Sequence, residues 1–236
     1  MLTSSILRIK ERRQKEKATL RQEIIDQARK LFASDGYEAI TMRKIAHRIR
    51  YSPTTIYLYF QNKEELVRAI ADEDYANFAA LLKQKAKHKN PIIQLKQIAN
   101  AYIDFGLQHP DHYRLMFMTP FALLSEHQSE LEEGNFQHDA YSFLVNTVQR
   151  AIEIRPASKT IDSHLIAQTF WAGLHGLVAQ RISLGDEPWF KWRPISEAQQ
   201  TLIEMMLESF FGKNDEARRP LKGKAVRKDR VNGSLV

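Results

Sequence analysis

The sequence has 236 residues, 43% of them hydrophobic and none of them cysteine. That is enough chain for one large or two small domains, with no material for a disulfide, a thiol nucleophile or a thiolate metal site. No run of about 18 apolar residues occurs and Met1–Leu20 lacks the apolar stretch of a signal peptide, so neither a membrane span nor export is expected and a cytoplasmic protein is predicted. The net charge of +7 divides into +7 over residues 1–68, −5 over 69–211 and +5 over 212–236. This asymmetry suggests that one end meets a polyanion while the middle does something else, the alternative being solvated surfaces that differ only in composition.

In chain order, Arg8, Lys10, Arg12, Arg13, Lys15 and Lys17 form a basic arm, residues 1–18, ahead of the first helix. It either follows a phosphate backbone or minor groove, or is a solubilising helix end. Ile24, Ile25, Ala28, Leu31 and Phe32 line one face of a helix, and Gly36 supplies a left-handed stop. Thr41 is a good N-cap for a helix with Met42, Ile45, Ala46 and Ile49 inward. Ser52 caps another, Pro53–Phe60, in which the proline takes a position that needs no N–H. Asn62 and Glu65 have capping-box spacing before a longer helix with Leu66, Val67, Ile70, Phe78 and Leu82 inward. Prolines then punctuate helices predicted at 63–88, 91–108, 110–117, 136–154, 160–184 and 195–211. Residues 118–135 read as a loop with a helical turn, and 212–236 as a disordered basic tail. No turn-bounded alternation of β-branched residues occurs, so the fold class is all-α.

The helices Thr41–Ile49 and Pro53–Phe60, joined at Arg50-Tyr51, have the spacing of a helix-turn-helix, whose second helix enters the major groove. Ile56 and Phe60 anchor that helix, leaving Pro53, Thr54, Thr55, Tyr57 and Tyr59 to meet DNA. Threonine hydroxyls and methyls suit base edges, and tyrosine hydroxyls suit phosphates. Lys63, at the start of a helix, is a candidate phosphate clamp. The competing reading is a solvated helix face with half-buried tyrosines.

The segments Thr41-Met-Arg-Lys-Ile-Ala-His-Arg-Ile, Ser52-Pro-Thr-Thr-Ile-Tyr-Leu-Tyr-Phe and Asn62-Lys-Glu-Glu-Leu follow Ala28-Arg-Lys-Leu-Phe-Ala-Ser-Asp-Gly-Tyr-Glu-Ala-Ile. Together they resemble the DNA-binding domain of the TetR/AcrR family over roughly residues 20–70. The resemblance implies backbone contacts from Thr41, Thr55, Tyr57 and Lys63, and base or groove contacts from Met42, Arg43, Pro53, Thr54 and Tyr59. Ser52 is counted with this DNA-binding set. The sequence departs from the family at Arg50, where glycine is usual, and at Thr54, where a smaller residue is common. A positive φ at Arg50 would cost about 1 kcal/mol.

His109-Pro-Asp-His-Tyr-Arg-Leu-Met-Phe and Trp171-Ala-Gly-Leu-His-Gly resemble the signatures of the TetR subgroup named for a Trp-His-Gly triplet. That resemblance implies a helical regulatory domain with a ligand pocket between helices and a dimer interface from the last two long helices. The expected domains are therefore helix-turn-helix at 19–68 and effector binding with dimerisation at 69–211. Small residues at Ala172, Gly173, Gly176 and Ala179 would let a helix approach closely. With Leu202, Met206 and Phe210 they form the expected dimer interface. Candidate effector residues are Tyr102, Phe105, Phe117, Phe121, Phe143, Trp171 and His175. Each reads more readily as plain core, and His175 as satisfying a backbone carbonyl. His109 and His112 are spaced i, i+3 but lack further ligands, so no metal is expected.

No nucleophile elbow, Walker loop, zincin motif or dinucleotide fingerprint is present, so an enzyme and a cofactor are not expected. The sequence reads as a homodimeric repressor, released from a palindromic double-stranded DNA operator by an unidentified small-molecule effector. Activation, or response to a protein partner, stands as the alternative.

Overall fold

The computed structural model describes residues 2–119, 139–155, 162–185 and 187–212, with side chains from Arg8 onward. These residues form nine α-helices and no strand: α1 (Leu2–Asp35), α2 (Met42–Arg48), α3 (Pro53–Tyr57), α4 (Lys63–Lys85), α5 (Pro91–Gln108), α6 (Pro110–Phe117), α7 (Ala140–Ile154), α8 (Ser163–Leu184) and α9 (Ile195–Phe211). The predicted spans of α5, α6 and α9 coincide with the observed ones. The first residues predicted for α7 and α8, the rest of the 118–135 loop beyond Thr119, and the tail from residue 213 lie outside the described residues. Among those described, no helix is long and apolar enough to cross a membrane.

The basic run expected as an arm ahead of the first helix is part of that helix. α1 is continuous over 34 residues, about 50 Å at ~1.5 Å per residue. Its N-terminal half carries neither glycine nor proline and is rich in Arg, Lys, Gln and Glu, all strong helix formers. The division at 68/69 likewise falls inside α4, which runs through it unbroken.

Two apolar cores result. The first joins Ile24, Ile25, Ala28 and Phe32 of α1 to Ile45, Ala46, Ile56, Phe60, Leu66, Val67 and Ile70, and is completed by Leu115 of α6. The second gathers the later part of α4 with α5, α6, α7, α8 and α9 around Phe78, Tyr102, Phe105, Tyr113, Phe170 and Leu174. α4 and α6 therefore contribute to both.

Between the cores lies a buried ionic joint. The Asp74 side chain of α4 is fully buried, and its carboxylate pairs with Arg29 of α1 and with His112 of α6, each at 2.9 Å. Arg29 also donates to Asp26 at 2.8 Å. Burial works against the Arg29 charge, but the charge and hydrogen bond of Asp74 outweigh it and hold the guanidinium pKa above its ordinary value. The partner of His112 is thus a carboxylate 38 residues earlier in the chain, which local spacing does not reveal.

Two glycines permit close approach of helices. A Cβ on Gly106 of α5 would lie 2.4 Å from Val178 of α8 and 2.8 Å from the Tyr113 ring. A Cβ on Gly173 would meet Met206 of α9 at 2.7 Å. Gly173 and Met206, both expected at the dimer interface, meet inside one chain, whereas Gly176 has nothing within 4 Å of such a Cβ.

Arg50 is the one described non-glycine residue with positive φ, at 61°. Its backbone N–H closes α2 on the His47 carbonyl, and Tyr51 N–H reaches the Ala46 carbonyl, so the turn into α3 requires this left-handed residue. Arg50→Gly is expected to raise stability by roughly 0.5–1 kcal/mol, because relief of the Cβ clash exceeds the added entropy of the unfolded glycine. A denaturant midpoint that shifts upward at constant slope would verify this.

Candidate nucleic-acid interface

The short helix α3 is fixed at both ends by its own side chains. The Ser52 hydroxyl accepts from Thr55 N–H at 3.2 Å and lies 2.9 Å from the Thr55 hydroxyl. Ile56 and Phe60 are buried in the first core. Regular helix ends at Tyr57, and Leu58, Tyr59 and Phe60 continue in turns bonded back to Thr55 and Ile56. This is shorter than the rod expected to reach Phe60.

The outward face carries Ser52, Pro53, Thr54 and Tyr57, all exposed, with Tyr57 at 50%. Thr55 is half-buried, and Tyr59 packs partly on the first core. On α2, Thr41 and Arg43 are exposed, and the Thr41 hydroxyl caps Lys44 N–H at 3.2 Å. Met42 is a correction: only 5% exposed, it points into the core with Ile45 and cannot reach a groove. Its place in the i, i+3 apolar series was the better guide than family position. Leu58, 74% exposed beside Tyr57, was not singled out. Apolar periodicity had no reason to mark a leucine outside the core.

Lys63 is held from within. Its Nζ lies 3.7 Å from the centre of the Tyr37 ring and donates to the Tyr37 carbonyl at 3.0 Å. The Tyr37 hydroxyl donates to Glu64 at 2.8 Å, and burial with this carboxylate pushes its pKa up to about 12. Lys63 therefore braces the α1–α2 connection against the start of α4. Lys44 pairs with Asp35 at 2.8 Å, and this hydrogen bond, with one from Ser34, keeps the Asp35 carboxyl below its usual range.

In the second core the candidate effector residues converge on a hydrogen-bonded chain. Trp171 Nε1 donates to the Tyr102 hydroxyl at 2.9 Å, Tyr102 and Tyr113 hydroxyls are 2.9 Å apart, and Tyr113 lies 2.6 Å from His175 Nδ1. Only one direction gives every hydroxyl proton an acceptor: Trp171 to Tyr102, Tyr102 to Tyr113, Tyr113 to His175. Burial lowers the His175 pKa, the direction that favours the neutral ring this arrangement needs. The expectation that His175 satisfies a backbone carbonyl is corrected, since its partner is a phenol.

Phe105 and Phe117 pack in this aromatic cluster with Phe78. Phe143 is half-buried at its edge, and Phe121 lies outside the described residues. Tyr113, central to the chain and fully buried, was missed as a candidate because neither partner is near it in sequence. Trp171 and His175 belong to one short segment of α8 and reach the chain at opposite ends.

Residues 24–70 match the family model of bacterial regulatory proteins, tetR family, and residues 95–208 match the tetracyclin repressor-like C-terminal domain. The HTH-type transcriptional repressor AcnR of Corynebacterium diphtheriae is 40% identical over 62 residues, 26% of this chain and 33% of that protein. The chain thus spans about a third of the length of that relative. It spans far more of the uncharacterized HTH-type transcriptional regulator YvkB of Bacillus subtilis, which is 26% identical over 183 residues, 77% of this chain and 89% of that one. The crystal structure of a TetR family transcription regulator from Marinobacter aquaeolei VT8 shares the fold, with a TM-score of 0.66 at 18% identity, over 84% of this chain and 98% of that one. With a reader domain and a C-terminal domain both matched in sequence, and the expected helices in the expected order, the chain belongs to the TetR family of bacterial regulatory proteins.

Proposed function

We propose that the protein is a sequence-specific DNA-binding transcription regulator of the cytoplasm, a homodimeric repressor that leaves a palindromic operator when a small molecule occupies its helical half. The observation that carries this reading is the outward face of α3, where Pro53, Thr54 and Tyr57 stand free above an anchored Ile56 and Phe60. Exposed apolar side chains on α8 and α9, Leu165 at 56% and Met205 at 65%, favour a second copy on that face. Ala172, Gly176, Ala179, Leu202, Met206 and Phe210 would contribute to it. Two-fold pairing would set two α3 helices about one DNA turn apart.

The effector acts through its different affinity for two conformers. α6 suits the transmission, because Tyr113 and Phe117 face the aromatic cluster while Leu115 and His112 of the same helix reach the reader domain. An apolar or amphipathic molecule that displaced the Tyr113 hydroxyl from His175 would move this helix.

The test is selection of DNA by the full chain from a random pool, followed by Thr54→Ala/Tyr57→Ala. The double variant is expected to bind the selected sequence roughly 10–100-fold more weakly, losing preference among sequences through Thr54 and general affinity through Tyr57. Undiminished preference for the selected sequence in a folded variant would defeat the assignment.

A further inference from the structure

The first half of α1 lies outside the matched family segment, which begins at residue 24, and every residue from Arg8 to Thr19 is exposed. Six cations over residues 8–17 accompany two acids, Glu11 and Glu16. Among the described residues only Arg12 of the six forms an ion pair, with Glu16 at 3.5 Å.

Lys10, Arg13 and Lys17 follow a spacing of i, i+3, i+7 that continues through Arg21 to Ile24 and Ala28. The cations therefore extend the stripe by which α1 packs into the first core, beyond the point where that core ends. The Arg21 guanidinium, 5.0 Å from the centre of the Phe60 ring, stands where the stripe turns from apolar to cationic. More than a quarter turn away round α1, Arg12, Lys15, Glu16, Thr19, Leu20 and Glu23 line a cleft with Tyr51. Tyr51 belongs to the turn just before the Ser52 cap of α3, so α1 passes beside the leading end of that helix.

We infer that residues 8–21 of α1 are a second DNA-contact surface, following the phosphate backbone beyond the base pairs that α3 meets. The inference rests on the DNA-binding role proposed for α3. An uncovered helix with this cation excess is matched by a polyanionic rod and gives contacts that carry no base information. From Arg8 to Ile24 the helix rises about 24 Å, enough to follow several phosphates.

The experiment uses the full chain, the DNA it selects with long flanks, and Lys10→Gln/Arg13→Gln/Lys17→Gln, with circular dichroism to confirm the fold. For the variant, the slope of log affinity against log salt is expected to be shallower by about 2.7 per bound protomer, a roughly 40-fold smaller loss between about 50 and 200 mM. Its preference among sequences should be unchanged, and trimming the flanks should weaken the wild type alone. Equal salt slopes would overturn the inference, as would a change of sequence preference without a change of slope. A slope unchanged on DNA, with binding to anionic phospholipid vesicles lost in the variant, would assign the surface to a membrane and overturn it too. If the wild-type chain selects no DNA sequence, the reading of α3 fails first, before any variant is compared.

Discussion

Asp74→Ala is expected to lower the stability of the folded chain by about 3–5 kcal/mol. The Asp74 side chain is fully buried and that of Arg29 is 6% exposed, so truncation strands a guanidinium that water cannot reach. Asp26 and Glu73 remain nearby at 2.8 and 3.7 Å, but neither replaces the paired oxygens that Asp74 gives to Nε and Nη2. His112 loses its partner in the same step. The double replacement Arg29→Met/Asp74→Leu should recover much of the loss, because it removes both charges from the interior rather than one. Urea denaturation of the three proteins measures this. A single variant within about 1 kcal/mol of the wild type would mean the joint is far wetter than its burial indicates.

The second large effect concerns Gly106, where two principles predict opposite signs. Helix propensity alone makes Gly106→Ala stabilising by about 1 kcal/mol. The packing reverses it: the new methyl would lie 2.4 Å from Val178 and 2.8 Å from the Tyr113 ring, distances that force α5 and α8 apart or displace the tyrosine. A net destabilisation of roughly 1–3 kcal/mol is therefore expected. Because Tyr113 is held by Tyr102 and His175, its displacement would also disturb the aromatic chain. A thermal melt gives the sign directly, and a rise in midpoint would show that the α5–α8 contact yields without cost.

Much of this architecture could be read from residue order because its helices begin and end with local devices. Thr41, Ser52, Asn62 and Asn90 each cap a backbone N–H within three residues, and prolines open α3, α5 and α6. The positive φ at Arg50 was legible only through the family resemblance, in which glycine is usual at that position. Other features depend on partners distant in sequence. The Asp74 joint spans three helices, the Tyr113 chain links α5, α6 and α8, and the clearance at Gly106 is set by a valine 72 positions later. At Met42 two signals conflicted, and burial decided in favour of apolar spacing over family position. The length of α1 was missed because a cationic run without an apolar stripe looks like a tail, although its residues are individually good helix formers.

Leu115 belongs to α6 by chain order but to the reader domain by packing, fully enclosed with Ile24, Ile56 and Ile70. The two halves are consequently not interchangeable cassettes. A chimera that joined this reader to another regulator's sensor at the α4 midpoint would import a foreign α6, and with it a foreign plug for a cavity shaped to this leucine. If the helical half senses a ligand as proposed, its divergence is confined to α5, α7 and α8, because one face of α6 must keep fitting the first core.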